Sequence, residues 1–253
     1  MTSNIVTLLV IIVFLALVFF KLKAKGKQER RQFHKDGRRK TFKDFQKEKI
    51  ENDPNGVYGE AILAQTVAGI CDLDKRKYIL MKNLFIPSHN GATEIDSLLL
   101  HQSGIYVLES KNISGEITGS VDEERWHQRM NARIEHTFHN PIQQNDGHIR
   151  ALQHFLKENY ARRDLNVDET PIFSVIVFSD RCVLKRIPAK GKNWIICHMF
   201  QLQEKFAPIM RANKTFFDTK QLEDFYWKLE PCMHPSERVR ASHKAYVQNK
   251  ARS

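Results

Sequence analysis

The stretch Glu94–Asn112, EIDSLLLHQSGIYVLESKN, constrains the fold more tightly than any other part of the chain. Two apolar runs with period-two alternation flank His101-Gln102-Ser103-Gly104, which reads as a hairpin turn. A two-residue or a four-residue loop equally puts Leu100 opposite Ile105 and Leu98 opposite Val107. The same register sets Asp96 opposite Glu109 and Glu94 opposite Lys111. Strand alternation then predicts that all eight side chains share one face. That face is apolar near the turn and ends in three carboxylates and an ammonium. Like charges directly opposed across a sheet are destabilising. A divalent cation is the expected means of holding them together.

The segments around this hairpin read as a mixed α/β domain. DPNGVYGEAILAQTVAGI predicts a helix capped by Asp53 or Asn55, with Val57, Ile62, Leu63, Val67 and Ile70 near helical spacing. KYILMKNLFIP predicts a strand ended by Pro87, and SHNGA a turn. GEITGS and RWHQRM predict a second, shorter hairpin anchored by Trp126. NPIQQNDGHIRALQHFLKENY opens with an Asn140 cap and Pro141 at the first helical position. Its Ile142, Ile149, Leu152 and Leu156 form an apolar stripe. PIFSVIVFSD and NWIICHMFQL predict further strands, and three helices follow: after Gln201, around QLEDFYWKLE, and from Ser236. This order predicts a mixed sheet with helices on its faces.

The N-terminus predicts location. Ile5 to Phe20, IVTLLVIIVFLALVFF, is uncharged and spans about 24 Å as a helix at ~1.5 Å per residue, slightly short of a ~30 Å hydrocarbon core. Lys21 and Lys23 can snorkel at one interface, and FFKLKAKGK makes a poor signal-peptide cleavage site. The expected division is a transmembrane anchor at 1–22, a basic juxtamembrane tether at 23–53, a core at 54–160, and the rest of the sheet with the C-terminal helices at 161–253. The crowd of Lys and Arg after the anchor predicts a short N-terminus outside and a cytoplasmic main domain, with the bilayer as a partner through residues 5–20.

Lys+Arg 40 against Asp+Glu 29 gives a net charge of +11, which favours polyanionic partners, nucleic acid or anionic lipid. The tether accounts for part of that excess. Cys71, Cys182, Cys197 and Cys232 lie far apart with no C-x-x-C pair, which argues for reduced, buried thiols rather than a zinc ribbon. His136 and His139 in HTFH have metal-like spacing but no cysteine partner. Trp126, Trp194 and Trp227 read as packing anchors.

Asp96 and Glu109, on adjacent strands, would lie within reach of one Mg²⁺ or Mn²⁺, with Lys111 two residues on to orient water and offset phosphate charge. This D…E-x-K pattern, with its flanks, resembles the NERD (nuclease-related domain) family of the restriction-endonuclease-like superfamily. The matching pieces run in order: GE at Gly59-Glu60, EID at Glu94–Asp96, SGIYVLESKN at Ser103–Asn112, GEITG with Trp126, and NPIQQN at Asn140–Asn145 with His148 and Leu152 beyond. They cover about two-fifths of the chain, and only their joint occurrence is specific.

The resemblance implies a restriction-endonuclease-like α/β fold and metal-dependent hydrolysis of DNA or RNA. It implies Asp96, Glu109 and Glu60 as metal ligands and Lys111 as their catalytic partner. It sets Gln144, with Lys111 and His148, on the substrate. Where some members carry QIDH, this chain has Glu94 and Ser97, and Glu94 could pair with Lys111 or add a ligand. Dimerisation, by which such nucleases cut both strands, brings a homodimer into view. The competing expectation is a catalytically idle module of the same fold that binds nucleic acid or scaffolds at the membrane, and a third is a basic protein in contact with lipid alone.

Overall fold

The computed structural model describes residues 57–88, 91–161 and 165–252. The expected anchor, the tether and the Asp53 or Asn55 cap lie outside the described residues. Among the described residues no helix is long and apolar enough to cross a membrane. Helix α1 (Val57–Asp74) leads into β1 (Tyr78–Ser88), β2 (Gly91–His101) and β3 (Gly104–Lys111). Strands β4 (Gly115–Thr118), β5 (Arg125–Arg129) and β6 (Glu135–His139) follow, then α2 (Pro141–Asn159). Strands β7 (Ile172–Phe178), β8 (Cys182–Lys185) and β9 (Trp194–His198) precede α3 (Leu202–Ala212), α4 (Thr219–Leu229) and α5 (Glu237–Arg252).

The strands form two mixed sheets. The larger has the order β1-β2-β3-β7-β9, and the smaller β6-β5-β4-β8. In the larger sheet β1, β2 and β3 are antiparallel, while β7 joins β3 and β9 joins β7 in parallel. The hairpin register is the one the sequence predicts: Leu98 pairs with Val107, Leu100 with Ile105 and His101 with Gly104, leaving the two-residue turn Gln102-Ser103. The chain passes from the larger sheet to the smaller twice, after β3 and after β7, and β4 pairs β8 in parallel as β3 pairs β7. Both crossings are tied together, since Ser179 N donates to the Lys111 carbonyl at 3.0 Å. The functional side chains lie at this junction.

Helices cover both faces of the larger sheet. Leu63, Val67 and Ile70 of α1 and Leu202, Phe206 and Met210 of α3 pack on Leu99, Tyr106, Leu108, Val175 and Val177. On the other face Leu152, Phe155 and Leu156 of α2, with Leu222, Phe225 and Leu229 of α4, meet Leu98, Leu100, Ile105 and Val107. Of the expected α2 stripe, Leu152 and Leu156 lie in this core and Ile149 packs at its margin, Phe155 joins them, and Ile142 belongs to a third cluster. Trp126 is fully buried in that cluster with Ile117 and Phe178, its indole N–H donating to the Ser120 carbonyl at 2.8 Å. Gly119 lies on that indole so closely that a Cβ there would come within 2.3 Å of the ring, which accounts for the glycine in GEITG. Trp227, by contrast, is exposed and anchors nothing in the core. All four cysteines are free and buried, as expected.

One expectation about the hairpin is overturned. Met81 and Leu84 belong to one apolar cluster, as do Ile95 and Leu98, although regular alternation would put each pair on opposite faces. The reversal falls at Asn83, whose φ of 52° lies in the left-handed region, and at Asp96; neither residue takes part in the β1–β2 pairing on either side of them. Asparagine tolerates that conformation better than most residues. Glu94 therefore does not share the face of Leu98 and Lys111. Its Oε2 lies 3.5 Å from His243 Nε2 on α5, so it neither pairs with Lys111 nor joins a ligand set beside it.

Candidate active site

Each element delivers its residue for a local reason. On α1, Gly59 sits against Asn112 just past the end of β3, where a Cβ would come within 3.1 Å of the Asn112 side chain. That close approach lets the next residue, Glu60, act electrostatically on Asp96. Asp96 stands where β2 and β3 part: their pairing extends to Ser97–Leu108, and beyond it Asp96 Oδ2 faces the Ser110 amide N at 3.5 Å. Glu109 and Lys111 follow Ile105 and Val107 on the α2 face of β3, as strand alternation requires.

Helix α2 is fastened to the sheets by the polar residues of NPIQQN. The Asn140 side chain accepts from Ile142 N at 2.9 Å, capping the helix. Its amide donates to the carbonyls of Ser120, Val121 and Glu123, binding the β4–β5 loop to the helix start. Asn145 is fully buried and donates to the Val107 carbonyl at 3.0 Å and to Ser174 Oγ at 2.8 Å. Between these two clamps, Gln144 reaches the end of β3. The sequence marks Asn145 only as part of a motif and gives no sign of Thr93; an asparagine one helical position from the site residue is the signal it offers.

The centre is a closed triangle. Lys111 Nζ donates to Glu109 Oε1 at 2.6 Å and to Gln144 Oε1 at 2.9 Å, and Gln144 Nε2 donates to the same Glu109 Oε1 at 2.9 Å. Glu109 is 2% exposed, so its carboxylate is shielded from solvent while Lys111 stays partly exposed. Its second oxygen, Oε2, is buried and has no hydrogen-bond partner, and His148 Nε2 lies 3.8 Å from it. His148 is itself buried, with Nδ1 2.8 Å from Thr93 Oγ1. Burial depresses the His148 pKa below the usual imidazole range despite the nearby Glu109 charge, which favours the neutral ring.

Asp96 carries the opposite perturbation. Burial first, and then the charge of Glu109, push its pKa well above the ordinary carboxylate range, with Glu60 adding to the rise and Lys111 opposing it. Two carboxylates are thus held together at a cost that one ammonium does not offset. Among the described residues no group of three or more His, Cys, Asp or Glu is placed to hold a metal ion together. Glu109 Oε2 is a carboxylate oxygen here without a hydrogen-bond partner, and Asp96 lies close enough to feel the Glu109 charge. His136 and His139, three residues apart on β6, fall on opposite faces of that strand and form no metal pair.

The structure therefore brings Glu109, Lys111, Gln144 and His148 into contact at the end of the central strands, with Asp96 and, more weakly, Glu60 acting on the cluster electrostatically. Residues 55–179 match the nuclease-related domain (NERD) family, a span that contains every member of the cluster and extends beyond the expected core boundary at 160 to take in β7. An uncharacterized protein of Bacillus anthracis is 25% identical over 199 residues, covering 77% of this chain and 84% of the relative. No solved structure matches the chain.

Proposed function

We propose that this chain, which carries a nuclease-related domain at residues 55–179, is a membrane-anchored nuclease that hydrolyses phosphodiester bonds of nucleic acid with Mg²⁺ or Mn²⁺. The observation that carries the reading is the unpartnered, buried Oε2 of Glu109 beside a carboxyl, Asp96, whose ionised form is disfavoured without added positive charge. A buried acceptor with no donor is costly, and it suits a cation. Two carboxylates are enough for Mg²⁺, which keeps several waters and takes phosphate oxygens as further ligands. Held by Asp96 and Glu109, the ion would supply Lewis-acid polarisation of the scissile phosphate. We read the sheet order and helix placement as the restriction-endonuclease-like fold.

In the hydrolysis, a water oxygen bonds to phosphorus, one P–O ester bond breaks, and the leaving oxygen takes a proton. The chain's own residues orient and compensate. Lys111 faces the negative charge that grows on the phosphate oxygens, and Glu109 and Gln144 hold its ammonium in one position so that little reorganisation is needed. Gln144 keeps Glu109 Oε1 occupied, which leaves Oε2 for the cation. His148, fixed through Thr93, presents Nε2 toward Glu109 as a neutral polar group at the edge of the site.

The uncharged run Ile5–Phe20 and its basic flank support the anchor and a cytoplasmic active domain. The direct 2.6 Å pairing of Lys111 with Glu109 favours one competing reading, a nucleic-acid-binding module of this fold without chemistry. Incubating the full chain, in detergent, with labelled DNA and RNA in Mg²⁺, Mn²⁺ or EDTA separates the two. The nuclease reading expects cutting that EDTA abolishes; binding without cutting in either metal supports the module.

A further inference from the structure

Helix α5 lies beyond the residues that match the family and is seated on the strand that carries Asp96. His243 fastens it there. Its Nδ1 lies 3.1 Å from the Ala92 carbonyl oxygen and its Nε2 3.5 Å from Glu94 Oε2, so both ring nitrogens face acceptors. The same ring meets Phe85 edge-on, with centroids 5.6 Å apart. One turn earlier, the Arg240 guanidinium sits 5.5 Å from the centroid of that Phe85 ring. Glu94 precedes Asp96 by two residues, about 7 Å along an extended strand. His243 also enters the electrostatic surroundings of His148. These contacts hold α5 on the stretch of β2 that leads into Asp96.

The charge of the helix complements what the site lacks. Asp96 feels the charges of Glu109 and Glu60 against that of Lys111, which is already bonded to Glu109, and Glu94 lies two residues before Asp96. Without its cation this cluster repels a phosphodiester, and basic side chains close by would offset that repulsion. The α5 sequence carries Arg238, Arg240, Lys244, Lys250 and Arg252 against Glu237 alone. Arg240 and Lys244 are both exposed, and their i, i+4 spacing puts them on the same side of the helix.

We propose that α5 is a clamp for the phosphate backbone: Arg240 and Lys244 hold the strand of nucleic acid that enters the Asp96–Glu109–Lys111 site, and His243 sets their position. This rests on the nuclease reading of the site and assigns binding, not chemistry, to the helix. Its partner is the sugar-phosphate chain, so the interaction is independent of base sequence and sensitive to salt.

The test measures the affinity of the full chain, in detergent micelles with EDTA so that nothing is cut, for a fluorescein-labelled single strand and its duplex over a range of salt. Lys244→Glu is expected to lower affinity roughly tenfold and to make the dependence on log salt shallower by about 0.7 to 0.9 for each phosphate that the variant no longer neutralises. Lys244→Arg keeps the affinity. His243→Ala, which retains every Arg and Lys but loosens the seat, lowers it to a similar degree. Lys244 is exposed and a thermal melt checks that its variants fold. Unchanged affinity and salt slope in both Lys244→Glu and His243→Ala overturn the clamp. So does unchanged nucleic-acid affinity with weakened retention on phosphatidylserine-containing over neutral vesicles, which assigns the helix to lipid. Normal α5-dependent binding by a chain that cuts in no metal sinks the nuclease reading and leaves the clamp in place.

Discussion

Replacing Asp96 by asparagine removes a charge that the folded protein holds at a cost. In the structure burial and Glu109 raise the Asp96 pKa, and Lys111 only partly opposes them. A carboxyl whose folded pKa is raised lends full stability below its unfolded pKa, near 3.8, and that stability is lost as pH rises through the folded value. At pH 7 without metal, wild type therefore carries the penalty and Asp96→Asn does not. The amide oxygen still accepts from the Ser110 N–H, so the local backbone contact survives. Relief of a buried, under-compensated charge is worth about 1–3 kcal/mol, and for a domain of this size that raises Tm by roughly 2–4 °C per kcal/mol. Metal reverses the order: a cation at 100 times its Kd adds about 2.7 kcal/mol to wild type and far less to the variant. Thermal melts at pH 7 in EDTA and in Mg²⁺, with both proteins, read the whole effect. A variant less stable than wild type in EDTA, or equal stabilisation of both by Mg²⁺, refutes the argument that Asp96 and Glu109 await a cation.

Gln144→Leu keeps the bulk on α2 but removes the hydrogen bonds to Lys111 and Glu109. Misplacing groups that orient a metal site lowers activity or metal affinity about 10- to 100-fold, and steady-state cutting assays check this; an unchanged rate excludes Gln144 from the mechanism. His101 lies far along the same sheet, fully buried against Ser103 and Asp74, and burial lowers its pKa from 6.5 to about 4. A histidine with a depressed folded pKa favours the fold above pH 6.5 and loses that contribution as pH falls toward 4, a total of up to about 3 kcal/mol at roughly 1.4 kcal/mol per pH unit. Urea unfolding at pH 7, 5.5 and 4 is expected to show the fall and His101→Gln to flatten it; the same slope in both proteins removes His101 as its source.

The hairpin register was legible in the sequence because period-two alternation on both sides of His101–Gly104 gives the same pairing for a two-residue or a four-residue loop. The E-x-K pair was legible for the same reason, since alternation alone puts Glu109 and Lys111 after Val107 on one face. The face of Glu94 was not. It depends on a break in the pairing of β1 with β2, at Asn83 with its left-handed backbone and at Asp96, that outweighs the alternation of both strands. Strands β6 and β8 also escaped, because β8 has four residues and β6 carries the mixed polar run EHTFH, each formed by its partner strand rather than by its own pattern. Asn140 announced itself through the Pro141 that follows it. Asn145 and Thr93 did not, since their roles come from groups distant in sequence, Val107, Ser174 and His148.

The central claim is that Asp96, Glu109 and Lys111 form a working metal-dependent site. Its most direct test is cutting of supercoiled DNA and of single-stranded DNA and RNA by the full chain in Mg²⁺ or Mn²⁺, beside Glu109→Ala and Lys111→Ala prepared identically. The account predicts cutting that needs metal and that both substitutions abolish. Cutting that persists in both variants, or none by the wild type in either metal, contradicts it.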